Sequence, residues 1–384
     1  MGLSVLFNVS HSRSFTQEIR AMFRIVLVPE SRFEAKNLHY VILIDRSYSM
    51  KGEKLEMAKE GARLLVDNLP KDSRFSLLAF NEKVSIIKEH EHPSEIGKEL
   101  EGLKVGSGTA MYKALEEAFN LARKYSEPTY VILLTDGVPS DMGCMPGLSR
   151  KFDLNRCLPV YQGLSVPENV QIISFGIGDD YSEEILTEVS EKGRGFFYHV
   201  TDPAQIPEKM PKLVKSEVAA SDVTVDLVSE SPVKLLNYDS LPVRINAVEG
   251  VVKIFGETVI PKEYTGKFMT LKVRYRDEKG MQDRTQEFFL TRAQNQQDFI
   301  SGIDRDIIME YEYLQTLQSY SRDLEARNLV EATKKLDRLR EIAEQTRRQD
   351  LQEVAEELTR KMSSGEGNAK EIASEVTRKM RSAE

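Results

Sequence analysis

The chain has 384 residues, 30% of them charged and 40% hydrophobic, with a formal net charge of −8. That length allows two or three domains with a core each, and the composition is that of ordinary globular protein. The acidic balance argues against nucleic acid as a general partner, and no apolar run reaches the roughly 18 residues of a membrane-spanning helix.

The first stretch, residues 1–36, reads as two strands. Leu3, Val5 and Phe7 alternate with their neighbours, and Ala21, Phe23, Ile25 and Leu27 alternate again up to Pro29. Period-2 patterning buries one face only, as in an antiparallel sheet. Met1-Gly-Leu-Ser-Val-Leu-Phe carries no basic n-region, and Leu6 breaks the myristoylation pattern, so a cytoplasmic location is expected.

From residue 37 to 205 strands and helices alternate. An apolar strand ending at Asp45 precedes a helix with Leu55, Ala58, Ala62, Leu65 and Leu69 on one face. Strands follow at 74–80 and 84–88, then a helix carrying Met111, Ala114, Leu115, Ala118 and Ala122, and a strand over 130–135. A loop with Cys144 and Cys157 leads to a strand at 170–176, a helix at 181–191 and a last strand near 196–200. Such alternation predicts a doubly wound, mostly parallel sheet whose ligands bind at strand carboxyl ends. The two cysteines are either free thiols, which base rates favour, or a disulfide pinning the loop. Dispersed His11, His39 and His199 suggest no metal cluster, and His90-Glu-His92 reads as a solvated loop.

Period 2 returns over residues 206–300, after a helix around 204–217. Val223, Val225 and Leu227 alternate, as do Leu271, Val273 and Tyr275. This β-unit is sandwich-like, and the two N-terminal strands are expected to join it, so that the α/β domain is an insertion. Residues 301–384 turn helical, with Leu329, Ala332, Leu336, Leu339 and Ala343 at 3–4 spacing, a break at Ser363-Ser-Gly-Glu-Gly, and a last helix on Ile372, Val376 and Met380.

One constellation carries chemistry. Asp45-x-Ser47-x-Ser49 follows the first α/β strand, Gly106-Ser-Gly-Thr109 precedes a helix, and Thr135-Asp136-Gly137 ends a central strand. Ser47 and Ser49 alone would serve as caps for the helix beginning near Gly52. Together with Thr109 and Asp136 they offer hard oxygen donors suited to Mg²⁺. The five residues resemble the metal-ion-dependent adhesion site of von Willebrand factor A (VWA) domains. That resemblance implies Mg²⁺ or Mn²⁺ held by Asp45, Ser47, Ser49, Thr109 and Asp136, with one position left for an acidic group of a protein partner. It also implies a binding role without catalysis. Tyr48 stands where many relatives have glycine, and it is expected to decorate the mouth of the site.

The order of N-terminal strands, VWA domain, β-unit and charged helical tail is similar to the ArnB family of archaeal archaellum regulators. The resemblance implies an FHA-domain partner, phosphorylation by a Ser/Thr kinase, and repression of archaellum expression. Thr359, Ser363, Ser364 and Thr377, beside the glycine-containing break, are the phosphorylation candidates, with Thr359 or Thr377 the expected FHA anchor. The alternative is an accessory subunit of a MoxR- or chelatase-type AAA+ ATPase, using the same metal surface.

Overall fold

A computed structural model describes residues 2–94, 96–146, 151–326 and 328–364, with Ile372 and Val376. Of Glu325 and residues 362–364 only the backbone is described. The chain divides into two compact units: Arg32–Asp222 with Arg244–Glu249, and Met1–Ser31 with Val223–Val243 and Gly250–Glu384.

The first unit is built on a six-stranded sheet in the order Phe196–Val200, Val170–Ile177, Thr129–Thr135, His39–Asp45, Arg74–Phe80, Val84–Glu91. All pairings are parallel except the last. Every residue of His39–Asp45 and of Thr129–Thr135 is buried, because alternate side chains feed two cores. Tyr40, Ile42, Ile44, Tyr130, Ile132 and Leu134 pack toward the helix Glu53–Asp67, which presents Leu55, Ala58, Ala62 and Leu65. Val41, Leu43, Val131 and Leu133 pack on the other face toward the helix Met111–Tyr125, through Ala114, Leu115 and Ala118. From His39–Asp45 the chain first builds the sheet in one direction and then crosses to extend it in the other. Strand order therefore reverses between His39–Asp45 and Thr129–Thr135, where such sheets open a crevice at their carboxyl ends.

The cysteine insertion is more ordered than a loop. Residues Leu154–Gln162 form a helix whose N-cap, Asp153, accepts from Arg156 N–H. Pro159 inside that helix hides it from a periodicity reading. Cys144 and Cys157 are joined as a disulfide, which corrects the expectation of free thiols. Asp153 N–H donates to the Cys144 carbonyl, and Cys157 N–H donates to the Asp153 carbonyl. Those backbone bonds bring the two cysteine Cα atoms to 4.6 Å, within disulfide reach.

The unit also runs past residue 205. The expected helix around 204–217 is a short helix Gln205–Lys209, a 3₁₀ turn Met210–Leu213 and a strand Glu217–Val218 paired with Phe33–Glu34. Pro207 and Pro211 interrupt the longer helix, while Ile206, Met210, Leu213 and Val218 complete the core beside Glu53–Asp67.

In the second unit Ile19–Pro29 lies between Leu3–Val9 and Val252–Ile260, antiparallel to both, and Val233–Leu235 forms the edge. Ala220–Ser229, Gly266–Asp277, Gly280–Arg292 and Arg13–Ser14 lie side by side in another sheet. The two sheets face each other: Phe7 meets Phe288 edge-on at 6.3 Å, and Gln286 donates to the Val5 carbonyl at 2.8 Å. Helices Arg305–Glu325, Leu329–Thr346 and Gln349–Ser364 enclose a core of Tyr313, Leu317, Tyr320, Leu336, Leu339, Ile342, Ala355 and Leu358.

Candidate metal centre

Asp45 is the last residue of its strand, and Asp136 directly follows the neighbouring one. Both lie at the strand-order reversal and both are fully buried. Parallel register places Leu134 beside Ile44, so the two carboxylates leave the sheet side by side.

The backbone after Asp45 turns at once. Ser47 N–H donates to Asp45 Oδ1 at 2.7 Å, and Tyr48–Met50 form one 3₁₀ turn. The helix that follows is capped by Gly52 without any side-chain bond, and neither Ser47 nor Ser49 caps it. The serine hydroxyls face each other instead, Ser47 Oγ to Ser49 Oγ at 3.1 Å. Ser49 Oγ in turn donates to Asp136 Oδ1 at 2.7 Å.

Thr109 is carried in by the glycine loop. Gly106 N–H donates to the Arg46 carbonyl, and Gly106 forms a parallel bridge with Ser47, pinning the loop to the Asp45 segment. Gly108 has φ +78°, where side chains are strained, and a Cβ there would lie 3.1 Å from that of Glu82. Thr109 N–H donates to Ser140 Oγ at 2.7 Å, and Ser140 N–H returns a bond to the Thr109 carbonyl. Ala110, not Thr109, occupies the cap position of the next helix. A Cβ on Gly137 would stand 3.7 Å from Ser49 Oγ and 3.8 Å from Thr109 Oγ1. These two hydroxyls therefore open onto the same small space. All five residues named from the sequence thus meet at one rim.

Three neighbours were not named as site residues. Thr135 Oγ1 donates to Asp45 Oδ2 at 2.6 Å, fixing that carboxylate from behind. Lys54 Nζ donates to Asp136 Oδ2 at 2.7 Å. Ser140 anchors Thr109. The sequence places Thr135 beside Asp136 and Lys54 at a helix start, but nothing in it shows that they touch carboxylates. For Ser140 no sequence signal exists.

Burial pushes Asp45 up to about 6; the bonds from Thr135 and Ser47 oppose this, and the nearby charge of Asp136 adds to it. A pair of buried carboxylates is thus held close together, with hydroxyl and amide donors for Asp45 and one hydroxyl and one ammonium for Asp136. Two carboxylates and three hydroxyls are hard oxygen ligands, and the excess negative charge of two buried carboxylates favours a divalent cation. The residues fit Mg²⁺ or Mn²⁺. Among the described residues no cluster of three or more His, Cys, Asp or Glu forms a different metal site. At the mouth Tyr48 is 67% exposed, with Lys51 Nζ 5.5 Å from its ring centre.

The phosphorylation candidates lie elsewhere. Thr359 sits inside the helix Gln349–Ser364, half-buried, and not beside a break. Its hydroxyl donates to the Ala355 carbonyl at 2.7 Å and accepts from Arg340 Nε at 2.9 Å. Ser363 and Ser364 end that helix, their side chains outside the description, and Thr377 lies outside the described residues.

Residues 40–212 match the von Willebrand factor type A domain, and residues 305–382 match the archaellum regulatory network B C-terminal domain. The crystal structure of the ArnB paralogue VWA2 from Sulfolobus acidocaldarius is similar over 99% of this chain and 98% of that one, at 29% identity and a TM-score of 0.86. A von Willebrand factor type A protein from Catenulispora acidiphila shares the fold over 99% and 97% of the two chains, at 16% identity and a TM-score of 0.68. An uncharacterized protein of Synechocystis is 28% identical over 173 residues, 44% of this chain and 39% of that protein. The chain thus spans about two fifths of that curated relative's length.

Proposed function

The chain is a VWA-domain protein with an archaellum regulatory network B C-terminal domain, and from that premise we propose that it works as a non-catalytic, metal-dependent docking protein in archaellum regulation. The observation that carries the proposal is the convergence of Asp45, Ser47, Ser49, Thr109 and Asp136 on one rim, linked by the bond from Ser49 to Asp136.

Those five side chains would hold Mg²⁺ or Mn²⁺. When bound, such an ion supplies an electrophilic contact for a carboxylate. The residues do the rest. Asp45, fixed by Thr135 and the Ser47 amide, and Asp136, fixed by Ser49 and Lys54, set the charge of the rim. Tyr48 offers an exposed aromatic surface beside it. The partner presents an Asp or Glu.

The C-terminal helices carry a second contact, to an FHA-domain protein after phosphorylation by a Ser/Thr kinase in the cytoplasm. Thr377 is the proposed anchor, with Ser363 and Ser364 as further acceptors. Phosphorylation of Thr359 would first require its hydroxyl to give up its bonds to the Ala355 carbonyl and Arg340. The match over residues 305–382 favours this reading over an accessory subunit of an AAA+ ATPase.

The test is capture of partners from a native lysate by the wild-type chain in Mg²⁺, by the same chain in EDTA, and by Asp136→Ala. A partner held by wild type in Mg²⁺ and lost in both other arms supports metal-dependent docking. Equal capture in all three contradicts it.

A further inference from the structure

Asp136 is not left bare for a cation. Its Oδ1 accepts from Ser49, and its Oδ2 accepts from the Lys54 ammonium at 2.7 Å, with the carboxylate fully buried and the lysine side chain 27% exposed. Lys54 is the second residue of the helix Glu53–Asp67, so its position is fixed by a rigid element packed on the sheet. Gly178 adjoins the ammonium, and a Cβ there would lie 3.5 Å from Nζ, in ordinary van der Waals contact. Among the described residues Asp45 has no cationic partner, and its bonds come from Thr135 and from Ser47.

The charge balance of the rim follows. Two carboxylates alone would neutralise a divalent ion, and a docking carboxylate would then bring surplus negative charge. With Lys54 included, the protein side of the rim carries one net negative charge, so a divalent ion leaves the loaded site one unit positive. A monoanion brings it to neutrality. With both carboxylates fully buried, such differences are only partly screened and shift affinity.

We propose that Lys54, paired with Asp136, weakens the hold on the bare ion and couples tight metal loading to the arrival of a single carboxylate. This rests on the metal-docking reading above and adds the mechanism by which metal and partner bind together. By thermodynamic reciprocity the partner's affinity rises with the metal by the same factor.

The test is calorimetric titration of the full chain with Mn²⁺, with and without excess acetate as the monoanion, for wild type, Lys54→Gln and Lys54→Arg. Lys54→Gln should bind Mn²⁺ tighter, on the order of tenfold, because one opposing charge is gone. Lys54→Arg should stay near wild type. Acetate should tighten Mn²⁺ binding to wild type and Lys54→Arg and have little effect on Lys54→Gln. Equal Mn²⁺ affinity of wild type and Lys54→Gln, or an acetate effect of the same size in both, overturns the proposal and leaves metal binding standing. Absence of Mn²⁺ binding in all three chains overturns both.

Discussion

Ser49 Oγ donates to Asp136 Oδ1 at 2.7 Å across 87 positions of chain, so a loop after one central strand is tied to the end of the next. A hydroxyl that orients a carboxylate and faces the same space as Thr109 would serve geometry and, under the metal-docking proposal, ligation as well. Ser49→Ala should therefore weaken Mn²⁺ binding roughly tenfold while leaving the far-ultraviolet dichroism unchanged. Calorimetry on the variant checks this; undiminished affinity would place Ser49 outside the ligand set.

Thr135 is a positioning residue. Its hydroxyl holds Asp45 Oδ2 at 2.6 Å in a fully buried setting, and valine would fill the same volume without the donor. Thr135→Val should cost about 1–3 kcal/mol of stability, the usual loss when a buried charged acceptor loses its donor. It should also lower Mn²⁺ affinity roughly tenfold. Urea denaturation and calorimetry read the two effects separately, and neither should appear if Asp45 is held by Ser47 alone.

At the opposite end of the same strand, His39 is buried with Nε2 2.9 Å from Ser76 Oγ, and burial, aided by the neighbouring His90, pushes its imidazole down to about 3. The unfolded chain protonates His39 near 6.5. Between those values the unfolded state binds more protons. The stability tied to neutral His39 is therefore complete above pH 6.5 and is lost as pH falls toward 3, by roughly 1.4 kcal/mol per pH unit. His39→Gln should flatten this limb of the stability–pH curve, as urea midpoints between pH 7 and pH 4 would show. An unchanged slope would mean that His39 is solvated in the fold.

Glu310 is almost fully buried on the helix Arg305–Glu325 and meets three cations, Arg24 at 2.5 Å, Arg348 at 2.6 Å and Lys253 at 2.9 Å. Burial alone would raise its carboxyl, but Lys253 and Arg348 outweigh that and hold it below the ordinary range. Glu310→Ala should destabilise the second unit by about 1–3 kcal/mol, because it leaves three half-buried cations without the carboxylate they share. Since the folded value is depressed, the contribution is present above the unfolded carboxyl value and is lost as pH falls through the folded one. Urea unfolding of the variant at neutral pH tests it; a loss no larger than that of a surface pair would show the cluster to be solvated.

Much of the α/β unit was legible because its signals are local. An apolar run such as Val41–Ile44 ending at Asp45, or the 3–4 spacing of Leu55, Ala58 and Ala62, depends only on neighbours in sequence. The five rim oxygens were legible for another reason: each stands at the end of a strand or the start of a helix, so their convergence follows from the sheet order. What escaped was set by contacts distant in sequence. Lys54 and Thr135 acquire their roles only when two strand ends lie side by side. The helix Leu154–Gln162 was masked by Pro159, and the Cys144–Cys157 bond depends on backbone bonds to Asp153 that no spacing rule reports. His90, read as part of a solvated loop, belongs to the strand Val84–Glu91, stacks on Tyr125 at 3.6 Å and pairs with Glu127. Thr359 was misplaced because the helix Gln349–Ser364 runs on to the serines before the glycine-containing segment.

The claim that five oxygen ligands hold a divalent ion with a position to spare is tested most directly by water-proton relaxation with Mn²⁺ on the full chain. One enhanced Mn²⁺ site is expected in wild type, partly quenched by acetate as it displaces bound water, and no site in Asp136→Ala. Enhancement that survives in Asp136→Ala, or a wild-type chain that gives none, would contradict it.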